Sequence, residues 1–106
     1  MATSKSDLYE RIYAIVKKIP KGRVSSYGAI GDYVSTSPRV VGYAMNAAHT
    51  RKDVPAHRVV NRNGMLTGKH HFSTPYEMEE KLKKEGVKVK NDTVIDFEIK
   101  FWDPSS

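Results

Sequence analysis

Apolar positions set the first rhythm of this chain. Leu8, Ile12, Ile15, Val16 and Ile19 recur at helical spacing. They predict a first helix capped by Ser6 or Asp7, with Glu10 three residues after Asp7, and ended by Pro20. Lys21-Gly22 then reads as a turn and Arg23-Val24-Ser25 as a short link. Ser26 can cap a second short helix carrying Tyr27, Ile30 and Val34. Ser37-Pro38 places a capping serine before a proline suited to a first helical position, and a third helix runs on through Ala47. Two short helices joined by a tight turn outline a helix-turn-helix. The second of the pair is rich in Gly42, Ala44, Ala47 and Ala48, which allow close approach either to the first helix or to a partner surface.

The rhythm changes after residue 54. Val59-Val60 reads as a short apolar strand, and Asn63-Gly64 is a strong hairpin signal. Met65-Leu66 is then expected to return beside Val59-Val60 as a small β-wing. Residues 75–85 read as a helix with Tyr76, Met78 and Leu82 apolar and Gly86 as its stop. Val87, Val89, Val94, Ile95, Phe97, Ile99 and Phe101 alternate as a terminal hairpin around Asn91-Asp92. The pattern predicts one α+β domain over residues 1–106, a small winged helix-turn-helix.

Composition narrows the chemistry. The chain has 106 residues and no cysteine, which removes disulfides, thiolate metal sites and a cysteine nucleophile. No apolar run approaches the roughly 20 residues of a membrane span, and the polar start Met1-Ala2-Thr3-Ser4-Lys5 lacks the apolar stretch of a signal peptide. These features predict a soluble intracellular protein without membrane contact. Charge is uneven: residues 1–70 carry twelve Lys and Arg against four Asp and Glu, while residues 71–106 carry six against eight. A basic front is what a polyanion partner requires, although many small proteins are basic without one. His49, His70 and His71 raise the question of a metal. Adjacent residues in a strand point to opposite faces, so His70 and His71 could not converge there. With no carboxylate cluster beside them, neither metal nor cofactor is expected.

The most informative segment is Val54-Pro55-Ala56-His57-Arg58-Val59-Val60. Together with Gly22-Arg23-Val24-Ser25-Ser26-Tyr27-Gly28, Arg39 and Asn63-Gly64, it resembles the DNA-binding domain of the O6-alkylguanine-DNA alkyltransferases, in a motif-bearing core at about 8–86. Those enzymes carry Pro-Cys-His-Arg-Val here, and their cysteine takes the alkyl group from a guanine flipped out of the duplex. In this chain Ala56 stands at the nucleophile position and has no lone pair to offer. An alkyltransferase fold without its cysteine resembles the alkyltransferase-like proteins, which bind alkylated guanine without repairing it and pass the lesion to nucleotide excision repair.

The resemblance implies roles residue by residue. The third helix would dock in the minor groove, where Gly42, Ala44 and Ala47 suit a groove about 6 Å wide. Arg39 would fill the gap left by the flipped base, its planar guanidinium able to stack. Tyr27 would push the target phosphate and contact the base, or serve as a half-buried core residue. Pro55, Ala56, Val59 and Val60 would wall the lesion pocket. His57 and Glu85 match the pair that activates the enzymes' thiol through a water; here they remain as a hydrogen-bonded pair holding the loop. Arg58 would brace that loop through backbone carbonyls. Lys69, near the enzymes' pocket lid, would meet the flipped base or a phosphate. Ala48 replaces an asparagine that buttresses the enzymes' active site, and the Lys69-His70-His71-Phe72 segment also departs from them.

The reading is therefore a non-enzymatic, monomeric sensor of O6-alkylguanine in double-stranded DNA, partnered with nucleotide excision repair proteins. Its place would be with the nucleoid in a bacterial cytoplasm or in a eukaryotic nucleus. Two alternatives stay open at this stage: an alkyltransferase domain inactivated at its cysteine, by nature or by engineering, and a plain winged-helix DNA binder without lesion preference.

Overall fold

The computed structural model describes residues 5–48 and 51–106. The first helix, α1, runs Lys5–Val16. It starts before both expected caps, so Asp7 lies inside its first turn, where a carboxylate suits the helix dipole. It also ends before Pro20. Residues 17–19 tighten into a turn in which the Lys18 and Ile19 amides bond the Ile15 and Val16 carbonyls at 3.0 and 3.1 Å. Ile19 nevertheless stays buried with Ile12, Tyr13, Ile15 and Val16.

The link expected at residues 23–25 contains a strand. β1, Ser25–Ser26, pairs in parallel with β2, Val59–Val60. α2 spans Tyr27–Val34, and Ser26 caps it by accepting the Ala29 amide. α3 spans Pro38–Ala47, with Ser37 accepting the Val40 amide and Pro38 opening the helix. The turn between them is tight: a Cβ on Gly31 would lie 2.7 Å from the Thr36 carbonyl oxygen. Any larger residue there would push the two helices apart.

α1, α2 and α3 enclose one hydrophobic core, joined by Val54 and Val59. A second core gathers Val24, Val60, Leu66, Met78, Leu82 and Val87. Successive strand residues point to opposite faces, so β2 lies between the cores and sends Val59 into one and Val60 into the other.

Three sequence expectations need correction. Met65-Leu66 does not form a ladder with Val59-Val60. Instead the Asn61 side-chain oxygen accepts the amides of Asn63 and Met65 at 2.9 and 2.8 Å, and Met65 bridges to Thr93. β2 is occupied by β1, so the wing is built from β3, Val89–Lys90, and β4, Thr93–Val94, around the Asn91-Asp92 turn. The helix expected at 75–85 is the shorter α4, Glu77–Lys84, and Tyr76, just before it, is 68% exposed. Residues 97–101 do not continue the hairpin. α5, Phe97–Lys100, brings Phe97 and Phe101 into an edge-to-face contact at 5.6 Å and turns Ile99 out, 72% exposed. Apolar residues at 97, 99 and 101 satisfy a strand period, but 97 and 101 also satisfy a helical one.

The C-terminal segment closes on the Gly-Arg-Val run. Arg23 donates to the Lys100 and Phe101 carbonyls at 3.0 and 2.6 Å, and Val24 bridges Phe101. Of the positions singled out in the sequence, His49 and residues 1–4 lie outside the described residues.

Candidate nucleic-acid interface

The segment after α3 enters β2 through a single 3-10 turn, Ala56–Arg58. Glu85, just past the end of α4, organises that turn. One carboxylate oxygen lies 2.9 Å from His57 Nε2, and Arg58 grips the same carboxylate with two bonds of 2.9 and 2.7 Å. A planar guanidinium matches a carboxylate in this two-point way. Arg58 also donates to the Ile19 carbonyl at 2.9 Å. Its bonds run chiefly to Glu85 and to one backbone carbonyl, where the resemblance implied carbonyls alone.

Electrostatics follow from this burial. Burial pushes the Glu85 carboxyl up, but the hydrogen bonds from Arg58 and His57 outweigh it and hold the carboxyl at about 2. Burial pushes the His57 imidazole below its ordinary value, against the opposite pull of Glu85. At neutral pH the trio is a carboxylate, a guanidinium and a neutral imidazole.

Ala56 is partly exposed beside this trio. Together with Pro55 it borders an open cavity of about 730 Å³, whose wall also includes Met45, Ala48, His71 and Phe72. The other expected pocket residues do not border it. Val59 and Val60 are fully buried, their positions fixed by the two cores and by β1. Tyr27 packs instead against the turn that follows β2, the 3-10 helix Thr67–His71. Burial raises its hydroxyl pKa, partly offset by a hydrogen bond with Thr67. A Cβ on Gly68 would lie 2.7 Å from that hydroxyl, so Gly68 is what lets Tyr27 fit. Lys69 is drawn away by an ion pair with Asp92 in the β3–β4 turn. His70 and His71 sit on a 3-10 turn, not a strand, and only His71 reaches the cavity. Among the described residues no cluster of three or more His, Cys, Asp or Glu could hold a metal. No described helix is long and apolar enough to cross a membrane.

α3 presents one face outward. Arg39, Asn46 and Ala47 are exposed and Gly42 is half-buried. Ala44 is not on this face: it is fully buried against α1, where the Tyr13 hydroxyl donates to its carbonyl at 2.9 Å. The reading from small residues alone missed Tyr43, which is 56% exposed on the same face as Arg39. Helical spacing from Arg39 points to it, four residues on.

A family model, "6-O-methylguanine DNA methyltransferase, DNA binding domain", matches residues 7–87. The chain belongs to this family. It is 31% identical to alkyltransferase-like protein 1 of Schizosaccharomyces pombe over 104 residues, covering 92% of this chain and 96% of that protein. A DNA base-flipping protein of Thermus thermophilus is 47% identical over 58 residues, but the chain covers 40% of it. The fold matches crystal structures of the S. pombe protein with DNA. One, holding damaged DNA with O6-carboxymethylguanine, has a TM-score of 0.83 at 32% identity over 98% of this chain and all of that one. A second complex with DNA has a TM-score of 0.80 at 29% identity. Within this family the chain departs at one decisive atom. Where the resemblance places the nucleophile, Ala56 supplies no sulfur, and no cysteine stands elsewhere in the given sequence.

Proposed function

We propose that this chain is a non-enzymatic sensor of O6-alkylguanine in duplex DNA that directs the lesion to nucleotide excision repair. The observation that carries the reading is the state of the Ala56 loop. Its Glu85, His57 and Arg58 supports are complete, its nucleophile is missing, and a cavity opens beside it. A loop held this firmly beside a cavity is suited to positioning a base, while alanine leaves nothing to react with it. The reading also draws on the similar proteins described with damaged DNA and with base flipping.

In this reading the exposed face of α3 enters the minor groove. Arg39 replaces the extruded nucleotide, and the guanine turns its O6 substituent towards Ala56. Extrusion costs a few kcal/mol and is easiest for a damaged, poorly paired base. That gives the lesion an advantage before any pocket contact forms. Recognition without turnover requires a downstream excision system, acting in a bacterial nucleoid or a eukaryotic nucleus.

The test pairs matched duplexes containing guanine or O6-methylguanine, with mass spectrometry of protein and DNA after binding. Preference for the lesion with both masses unchanged is the expected result. Equal binding would reduce the protein to a plain DNA binder, and a methyl-sized mass gain on the protein would make it an enzyme.

A further inference from the structure

The cavity beside Ala56 has a charge that the loop does not explain. Seven cationic side chains border it against three carboxylates. Four of the cations are neutralised locally. Lys17 pairs with Asp53 at 2.9 Å, Arg51 with Glu10 and Asp53, Lys81 with Glu77 at 3.1 Å, and Arg58 with Glu85. Lys21, Lys52 and Lys84 make no ion pair among the described residues. They come from three separate places: the turn after α1, the segment after α3 and the last turn of α4. The fold therefore gathers three uncompensated ammonium groups around one concave space.

We infer that this space is a subsite for an anionic tail on the O6 substituent, with Lys21, Lys52 and Lys84 selecting a carboxylate over a neutral group of the same size. The inference rests on the proposed lesion reading, which aims the O6 substituent at Ala56. A methyl group fills little of about 730 Å³, so a longer tail can pass Ala56 and enter. Met45, Val54 and Phe72 give the wall some apolar surface for the methylenes. Lys21, Lys52 and Lys84 are exposed, so the terminal charge meets the excess cations at the rim of the cavity with the strength of surface ion pairs.

The experiment compares duplexes carrying O6-methylguanine, O6-carboxymethylguanine and its carboxamide isostere, and the same acid and amide pair with a three-carbon tail. Affinities are read by fluorescence anisotropy at one salt concentration. The wild-type chain is expected to bind at least one carboxylate about three- to fivefold tighter than its amide, the scale of a partly screened ion pair. In a Lys21→Gln, Lys52→Gln, Lys84→Gln triple variant, shown folded by circular dichroism, that ratio should fall towards one. Equal binding of acid and amide at both tail lengths would overturn the inference. So would a ratio unchanged in the triple variant, which would assign the lysines to DNA phosphates. A wild-type chain that does not distinguish O6-methylguanine from guanine would instead defeat the lesion reading beneath it.

Discussion

His57 and Glu85 lie 2.9 Å apart, joined side chain to side chain across 28 positions of sequence. In a chain with no thiol to activate, the contact has a structural consequence: with Arg58 it ties the Ala56 turn to the end of α4.

That trio predicts an acid-sensitive fold. His57 and Glu85 both hold protons less tightly when folded, so each contributes stability that falls as pH drops. For His57 the loss begins as pH falls below its ordinary 6.5. For Glu85 it runs from 4.5 down to about 2. The Glu85 side chain is only 12% exposed, and a shift of that size corresponds to about 3 kcal/mol. Urea midpoints measured from pH 7 to pH 2 should decline in both windows. Glu85→Gln should be less stable at pH 7, because Arg58 loses its partner, and should decline less between 4.5 and 2. Parallel curves for the two proteins would show that Glu85 is not the titrating group.

Arg39 is exposed at the start of α3. Arg39→Ala should weaken lesion binding by about 1–3 kcal/mol, the scale of one lost stacking contact. A 2-aminopurine beside the lesion should lose its flipping-dependent fluorescence with it. Equal binding and equal flipping by the Ala and Lys variants would remove Arg39 from the base stack.

Binding should fall with salt. The charge excess of residues 1–70 supports several phosphate contacts, each contributing about −0.9 to the slope of log K against log salt, for a total slope of about −3 to −6. A titration from low to moderate salt measures this directly, and a flat response would remove phosphate contacts from the interface.

Gly68 and Tyr27 should be energetically coupled. Gly68→Ala places a methyl group against the Tyr27 hydroxyl and should cost about 1–3 kcal/mol, as overpacking does. In a Tyr27→Phe background the same change should cost less, since the oxygen it meets is gone. A double-mutant cycle of thermal or urea unfolding reads the coupling; strict additivity would mean that the two sites do not touch.

Ala56→Cys restores the Pro-Cys-His-Arg run beside a complete His57–Glu85 pair. A free thiol with pKa near 8.5 is only a few per cent thiolate at pH 7. Transfer also needs sulfur and the alkyl carbon aligned within roughly 3–3.5 Å. Ala48 and the departed Lys69-His70-His71-Phe72 segment border or adjoin that space. The variant should keep lesion binding and transfer methyl slowly or undetectably, read as a mass gain on the peptide holding residue 56. Rapid transfer would show that the pocket still holds alkyltransferase geometry.

Local chemistry determined much of this protein by itself. Ser26 and Ser37-Pro38 marked two helix starts because capping needs only a side-chain oxygen and the next few amides. The absence of a nucleophile at Ala56 was equally plain, since it is a matter of residue identity. The partner of β2 was not: Val59-Val60 offers the same edge to a following hairpin or to a distant strand, and only the two cores on its faces select Ser25–Ser26. Ala44 looked like its neighbours Gly42 and Ala47, yet packing turned it inward and left Tyr43 outside. Lys69 could meet a base or a phosphate until the β3–β4 turn brought Asp92 to it. The grouping of Lys21, Lys52 and Lys84 has no sequence signal at all. Charges from three separate segments become one field only when tertiary packing folds them around the same cavity.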